Sequence, residues 1–173
     1  MTAATANPLA GASAKPVLYL VDTNILLRDV DASHSHHATT RQALRFLATT
    51  GAPLCLIPQN LIEFWVAATR PTAVNGLGLS PAQAQASIAQ FEASFHLLPD
   101  TSVIFAEWKR IVTAYTVSGK TAHDARLIAA MKVHGLTHLL TFNGNDFHRY
   151  SIGESITVVD PHSVALSHVS PGQ

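Results

Sequence analysis

The chain is 173 residues long, the size of one domain, and its 47% hydrophobic and 13% charged residues exclude a disordered protein. Its 11 Lys and Arg balance 11 Asp and Glu, so it lacks the strong positive field of a nucleic-acid coat protein, while ten His make its charge sensitive to mild acid. The single Cys55 excludes an intrachain disulfide framework and a Cys-rich zinc site and suits a reducing, cytoplasmic compartment; the apolar runs fall short of the roughly 20 residues that a membrane helix needs.

Residues 1–16, mainly Ala, Thr, Ser, Gly and Pro, lack the basic start and apolar stretch of a signal peptide and read as a flexible N-terminal extension. The apolar run Val17 to Val21 ends in Asp22 and has the pattern of a strand buried on both faces of a parallel sheet. A short helix is expected from Ile25, then a polar, His-rich loop from Asp31 to His37. The next helix spans Ala38 to Thr49 and packs through Ala43, Leu44, Phe46 and Leu47. Leu54 to Ile57 reads as a second strand, and Pro58 opens a helix to Arg70 with Glu63 on its second turn. After a Gly and Asn loop, Ser80 is the expected N-cap of a helix from Pro81 to Phe95. Leu97-Leu98 forms a short strand, and a helix follows Asp100-Thr101 as far as Val117. Ala122 to His134 is helical, with Asp124 in its first turn and Gly135 at its C′ position. His138 to Thr141 is a strand, Asn143 to Asp146 a tight polar turn, and Ile156 to Val159 the last strand. Strands alternating with helices predict an α/β fold: one domain over residues 17–165, a parallel sheet of about four to five strands with helices on both faces, and a C-terminal tail over 166–173.

In such a sheet, ligands bind at the carboxyl ends of the strands. Asp22 and Asp146 are expected there, and Glu63 and Asp124 lie early in helices that start from the same edge. Four acids without Cys or obligatory His suit a hard cation, Mg²⁺ or Mn²⁺, held by carboxylates, water and substrate phosphate. Taken singly, Asp22 also suits a helix cap, Asp124 a helix dipole and Asp146 a turn. Glu63 stands apart, because it is the only charged residue in Leu61 to Val66 and needs a partner there.

The sequence resembles the PIN-domain family, and within it the VapC-type toxin ribonucleases, over residues 17 to 165. The resemblance rests on Val21-Asp22-Thr23-Asn24, on Glu63 within Pro58 to Phe64, on His123-Asp124-Ala125-Arg126, and on Leu140-Thr141-Phe142-Asn143-Gly144-Asn145-Asp146-Phe147, in that order. It implies a metal site of Asp22, Glu63, Asp124 and Asp146, supported by Asn24, Thr141 and Asn143. It further implies a Mg²⁺- or Mn²⁺-dependent endoribonuclease of a toxin–antitoxin pair, with RNA as substrate, an antitoxin protein as partner, a homodimer and no membrane. Hydrolysis by a metal-activated water would leave 5′-phosphate and 3′-hydroxyl ends. Pro81 to Phe95 and Val103 to Val117 are candidate partner surfaces.

Other readings of the same residues are weaker. A haloacid-dehalogenase-type phosphotransferase needs a second Asp two positions after Asp22, where Asn24 stands, and a receiver domain needs a paired acid beside Asp22. A catalytically silent PIN-like module that binds RNA or protein is the alternative of a different class. His34-Ser35-His36-His37 could bind zinc but reads as a solvated loop. Arg28, Arg41, Arg45, Lys120, Arg126 and Arg149 are candidate contacts to a phosphate chain, with Lys120 and His123 best placed to flank the acids and Arg126 able to brace the fold instead.

Overall fold

In the computed structural model, which describes residues 17–167, the apolar run ending at Val21 is the middle strand of a five-stranded parallel sheet. The strands are β1 (Tyr19–Val21), β2 (Leu54–Leu56), β3 (His96–Leu97), β4 (His138–Leu140) and β5 (Thr157–Val159), in the order β3-β2-β1-β4-β5. The α-helices among these residues are α1 (Thr23–Val30), α2 (His37–Thr49), α3 (Pro58–Thr69), α4 (Pro81–Ser94), α5 (Ser102–Ala114), α6 (Thr121–His134), α7 (Gly144–Ser151) and α8 (Pro161–Ser167), with one 3-10 turn at Thr72–Val74.

The two-residue period of the strands sorts the core into two halves. Leu20 and Leu139 face one half, with Ile104 and Ile111 of α5, Ile128 and Met131 of α6, and Phe147 and Tyr150 of α7. Val21 and Leu140 face the other, with Ile25 and Leu26 of α1, Ala43 and Leu47 of α2, Phe64 of α3, Phe91 of α4 and Val164 of α8. A strand with large apolar residues on both faces is stable only between two helical layers, which is why β1 sits at the centre.

Local chemistry sets the helix ends. Pro58 starts α3, and the Asn60 side chain accepts from the Ile57 backbone N–H at 2.9 Å. Ser80 caps α4 as expected: its Oγ accepts from the Gln83 backbone N–H, and the Gln83 side chain accepts from the Ser80 N–H at 2.9 Å. Gly135 ends α6 at φ 70°, a left-handed conformation that glycine adopts without strain.

Three expectations need correction. Asn143 to Asp146 is no free turn, because Gly144, Asn145 and Asp146 form the first turn of α7. The helix expected to reach Val117 stops at Ala114. Helix α8, which follows β5 and packs against α2, was not expected, and it carries residues 166 and 167 that read as tail. The extension over residues 1–16 and the rest of the tail lie outside the described residues. Among the described residues, no helix is long and apolar enough to cross a membrane.

Candidate active site

From β1 the chain steps through β2 to β3 on one side of the sheet, whereas β4 and β5 add on the other side of β1. The carboxyl ends of β1 and β4 therefore border the crevice where the strand order reverses. Asp22 leaves β1 there and Thr141 leaves β4, with the Asp22 backbone N–H bonded to the Leu140 carbonyl.

Asp22 is 7% exposed, and its Oδ2 accepts from the Thr141 hydroxyl and from the Asn24 side-chain amide, both at 2.6 Å. Thr141 Oγ1 also accepts from the Asn24 amide and from the Asn143 backbone N–H, each at 2.9 Å. With two donors already on that oxygen, its own hydrogen is directed to Asp22. Burial pushes the Asp22 carboxyl up to about 6, the Thr141 and Thr23 hydrogen bonds pull it down, and the charges of Glu63 and Asp124 raise it further.

Glu63, on α3, finds the partners its apolar surroundings demand. Oε2 accepts from the Thr23 hydroxyl at 3.0 Å, and Oε1 from the Gln59 amide at 2.8 Å. Gln59 is buried and ties three elements together. Its amide also donates to the His123 carbonyl at 3.0 Å, and its Oε1 accepts from Arg126 at 2.9 Å. Arg126 continues to Asp100 at 2.9 Å, so it braces the fold.

Asp124 opens α6, and its carboxyl is raised by burial first and then by the charges of Asp146 and Glu63, against His123 and Lys120. His123 Nδ1 also stands 3.9 Å from Glu63 Oε1, so His123 and Lys120 flank the acids as expected. The acids form a chain of repulsion in which Glu63 and Asp124 act on Asp22, and Asp146 and Glu63 act on Asp124. They do not close into a ready-made cage: among the described residues no three Asp, Glu, His or Cys groups converge closely enough to hold a metal ion by themselves. Repulsion opposes a closer approach without a cation, since two carboxylates about 4 Å apart cost roughly 4 kcal/mol at an effective dielectric of about 20.

The donor set nonetheless fits Mg²⁺ or Mn²⁺. Every acid offers hard oxygen, and Mg²⁺ commonly binds through one or two carboxylates while keeping water and substrate phosphate. Asp22 and Asp124, whose carboxyls the site pushes upward, are the groups a cation would relieve most.

The sequence reading missed Thr23 and Gln59. The signal for Gln59 was its place four residues before Glu63, one helical turn away on the same face. Thr23 carried none beyond standing next to Asp22.

The profile of the PIN domain family matches residues 19–153. No curated protein sequence matches the chain. Among solved structures, VapBC2 from Rickettsia felis bound to a promoter DNA fragment gives a TM-score of 0.64 at 14% identity, covering 83% of this chain and 98% of that one. The sarcin-ricin loop cleaving toxin VapC20 from Mycobacterium tuberculosis gives 0.57 at 19% identity, covering 74% and 92%. A toxin–antitoxin complex from Klebsiella pneumoniae gives 0.54 at 21% identity, covering 83% and 97%. At these identities the likeness is one of fold.

Proposed function

This chain belongs to the PIN domain family, and from that premise we propose that it is a Mg²⁺- or Mn²⁺-dependent endoribonuclease, the toxin of a toxin–antitoxin pair. One observation carries the reading. Asp22 is a buried carboxylate at the sheet's reversal point, in the field of two further acids, and no Lys or Arg of the described residues pairs with it. A buried charge without a partner is costly, and a cation from outside would supply the missing partner.

Asp22 and Asp124 would hold that cation, with Glu63 and Asp146 beside them. A bound divalent cation supplies positive charge at the scissile phosphate and acidifies water at neutral pH. Thr141 and Asn24 fix the Asp22 carboxylate, leaving Oδ1 without a side-chain hydrogen bond among the described residues. Gln59 and Thr23 fix Glu63 in the same way. Lys120 and His123, exposed at the start of α6, lie where a phosphate chain would meet positive charge. With water as nucleophile, the products carry 5′-phosphate and 3′-hydroxyl ends.

The toxin assignment and the antitoxin partner draw on the fold likeness to proteins described as VapBC and toxin–antitoxin complexes. A homodimer is supported by exposed apolar side chains on α5, Val103 at 58% and Phe105 at 61%, and on α3, Ile62 at 64% and Val66 at 51%.

The test is incubation with a mixed RNA pool in Mg²⁺, Mn²⁺ or EDTA, beside Asp22→Asn and Asp124→Asn, with product ends mapped. Metal-dependent cleavage, lost in both variants and leaving 5′-phosphates, is expected. Ends carrying 2′,3′-cyclic phosphate would refute hydrolysis by water. Intact RNA with a protein that binds no metal would instead favour a silent interaction module.

A further inference from the structure

The His-rich loop expected to be solvated is half-buried, because it packs against the loop after β4 and the start of α8. The His36 ring lies 4.5 Å from Phe142, 5.0 Å from His162 and 5.2 Å from His34, centroid to centroid, and Phe142 lies 5.4 Å from His162. We propose that these four rings, with Arg28, form a subsite that holds one unpaired nucleotide of the RNA next to the acidic centre. The proposal rests on the ribonuclease reading and deepens it.

Three observations support a nucleotide as the occupant. First, the rings and Arg28 line a cavity of about 290 Å³ that Asn24 and Asn143 also line. Asn24 is bonded to Asp22 itself. A second cavity, of about 500 Å³, shares Phe142, Asn143 and Asp160 with the first and includes Thr141 and Asp146. One strand crossing both cavities would run from the acids to the rings.

Second, the chemistry suits a base and its phosphate. Aromatic faces stack on unpaired bases whatever their sequence, and cations track the backbone. The Arg28 guanidinium makes no hydrogen bond or ion pair among the described residues, although its charge is felt by Asp31 and His34. The cavity's one carboxylate, Asp160, is already bonded to the His162 ring at 2.9 Å and to the His162 backbone N–H at 2.8 Å. An acidic or purely apolar peptide segment would use less of this surface.

Third, the ring nitrogens are oriented. The His36 backbone N–H donates to His34 Nδ1 at 3.1 Å, so the neutral His34 ring carries its hydrogen on Nε2, a donor for phosphate or a base edge. A zinc site is the poorer use, since among the described residues no three ligating groups converge.

The test measures retention of a mixed single-stranded RNA pool by the full chain carrying Asp124→Asn, at fixed salt and with Mg²⁺ present, so that binding is read without cleavage. His36→Ala and Phe142→Ala in that background should each weaken retention about tenfold, with His36→Phe restoring it because stacking survives. His162→Ala, at an exposed position, should lower it severalfold with an unchanged melting temperature. It also keeps the test decisive if His36→Ala fails to fold. Retention within twofold of the parent for His162→Ala and Phe142→Ala would overturn the subsite alone and leave this surface to a protein partner. No retention by this background while the unsubstituted chain cleaves the same pool would overturn the subsite alone, and no retention with no cleavage by the unsubstituted chain would overturn the ribonuclease reading with it.

Discussion

Two buried carboxylates in this chain are treated in opposite ways. Glu154, 3% exposed and just beyond α7, accepts from Arg110 at 2.7 Å, has Lys132 Nζ 3.7 Å away, and receives a further bond from Lys132 to its backbone carbonyl. Asp22, 7% exposed, is bonded by neutral donors and set in the field of other acids, with no Lys or Arg paired to it among the described residues. The rule that a buried charge needs compensation applies to both. At Glu154 the chain supplies the cations and joins α5, α6 and α7; at Asp22 it withholds them. Stability is served at the first position and sacrificed at the second, which is the signature of a site built for something from outside.

The sharpest break in that comparison is Asp22→Asn. It should lower RNA cleavage on the order of 10³-fold, equivalent to about 4 kcal/mol of barrier, and Asp124→Asn should do the same. Single-turnover rates on a mixed RNA pool in Mn²⁺ would measure it. Metal should raise the melting temperature of the parent chain, and this rise should vanish in both variants.

The metal-free chain should also show the site's cost as a pH dependence. The folded Asp22 carboxyl is held up at about 6, against 3.8 for its ordinary value, so the folded state binds the extra proton between those limits. Stability from this group is therefore complete below pH 3.8 and declines as pH rises through 6, by about 3 kcal/mol at most. Urea unfolding in EDTA across that window, parent against Asp22→Asn, isolates the effect. The variant should be the more stable of the two at pH 7 and equal at pH 4. Saturating metal should flatten the difference, because a cation keeps the carboxylate ionised.

Glu154→Gln should behave in the reverse sense. It removes the negative charge that Arg110 and Lys132 share, and should destabilise the fold by about 2 kcal/mol, with cleavage per folded molecule unchanged. The cost stays moderate because the Arg110 side chain is 47% exposed and can recover water. For a chain of this size that amounts to a fall of roughly 4–8 °C in melting temperature, readable by calorimetry.

The contrast also explains what the sequence disclosed. The parallel sheet was legible because β1, β2 and β4 are short apolar runs bounded by Pro, Gly or a charge, and so was the placement of the four acids near one edge of it, because each falls at a strand end or in an early helical turn. Helix α8 escaped notice because Pro161 to Ser167 is a single short stretch whose burial depends on α2, far away in sequence. Asp146 was placed in a turn because Asn-Gly-Asn has turn chemistry, yet tertiary packing of Phe147 and Tyr150 draws those residues into α7. The His34 to His37 loop looked solvated because its partners, Phe142 and His162, lie over a hundred residues away. Contacts of that range leave no local periodicity to read.

The smallest expected effect concerns how Glu63 is held. Gln59 passes the rigidity of Arg126 and Asp100 to Glu63 through two hydrogen bonds, and it anchors the start of α6 through the His123 carbonyl. Gln59→Leu keeps the volume and loses all three bonds. Partners that orient a ligating group are typically worth about 10–100-fold in metal affinity or activity, and the Thr23 hydroxyl still holds the other Glu63 oxygen, so about tenfold is expected. Gln59→Glu separates positioning from mere packing, because it preserves the bond to Arg126 while setting a second carboxylate against Glu63. If Gln59 positions Glu63, the metal concentration needed for half-maximal cleavage should rise in both variants, and more in Gln59→Glu, where protonating the added acid at lower pH should partly restore affinity. Unaltered metal dependence with a lowered melting temperature would mean that Gln59 only braces α3 against α6.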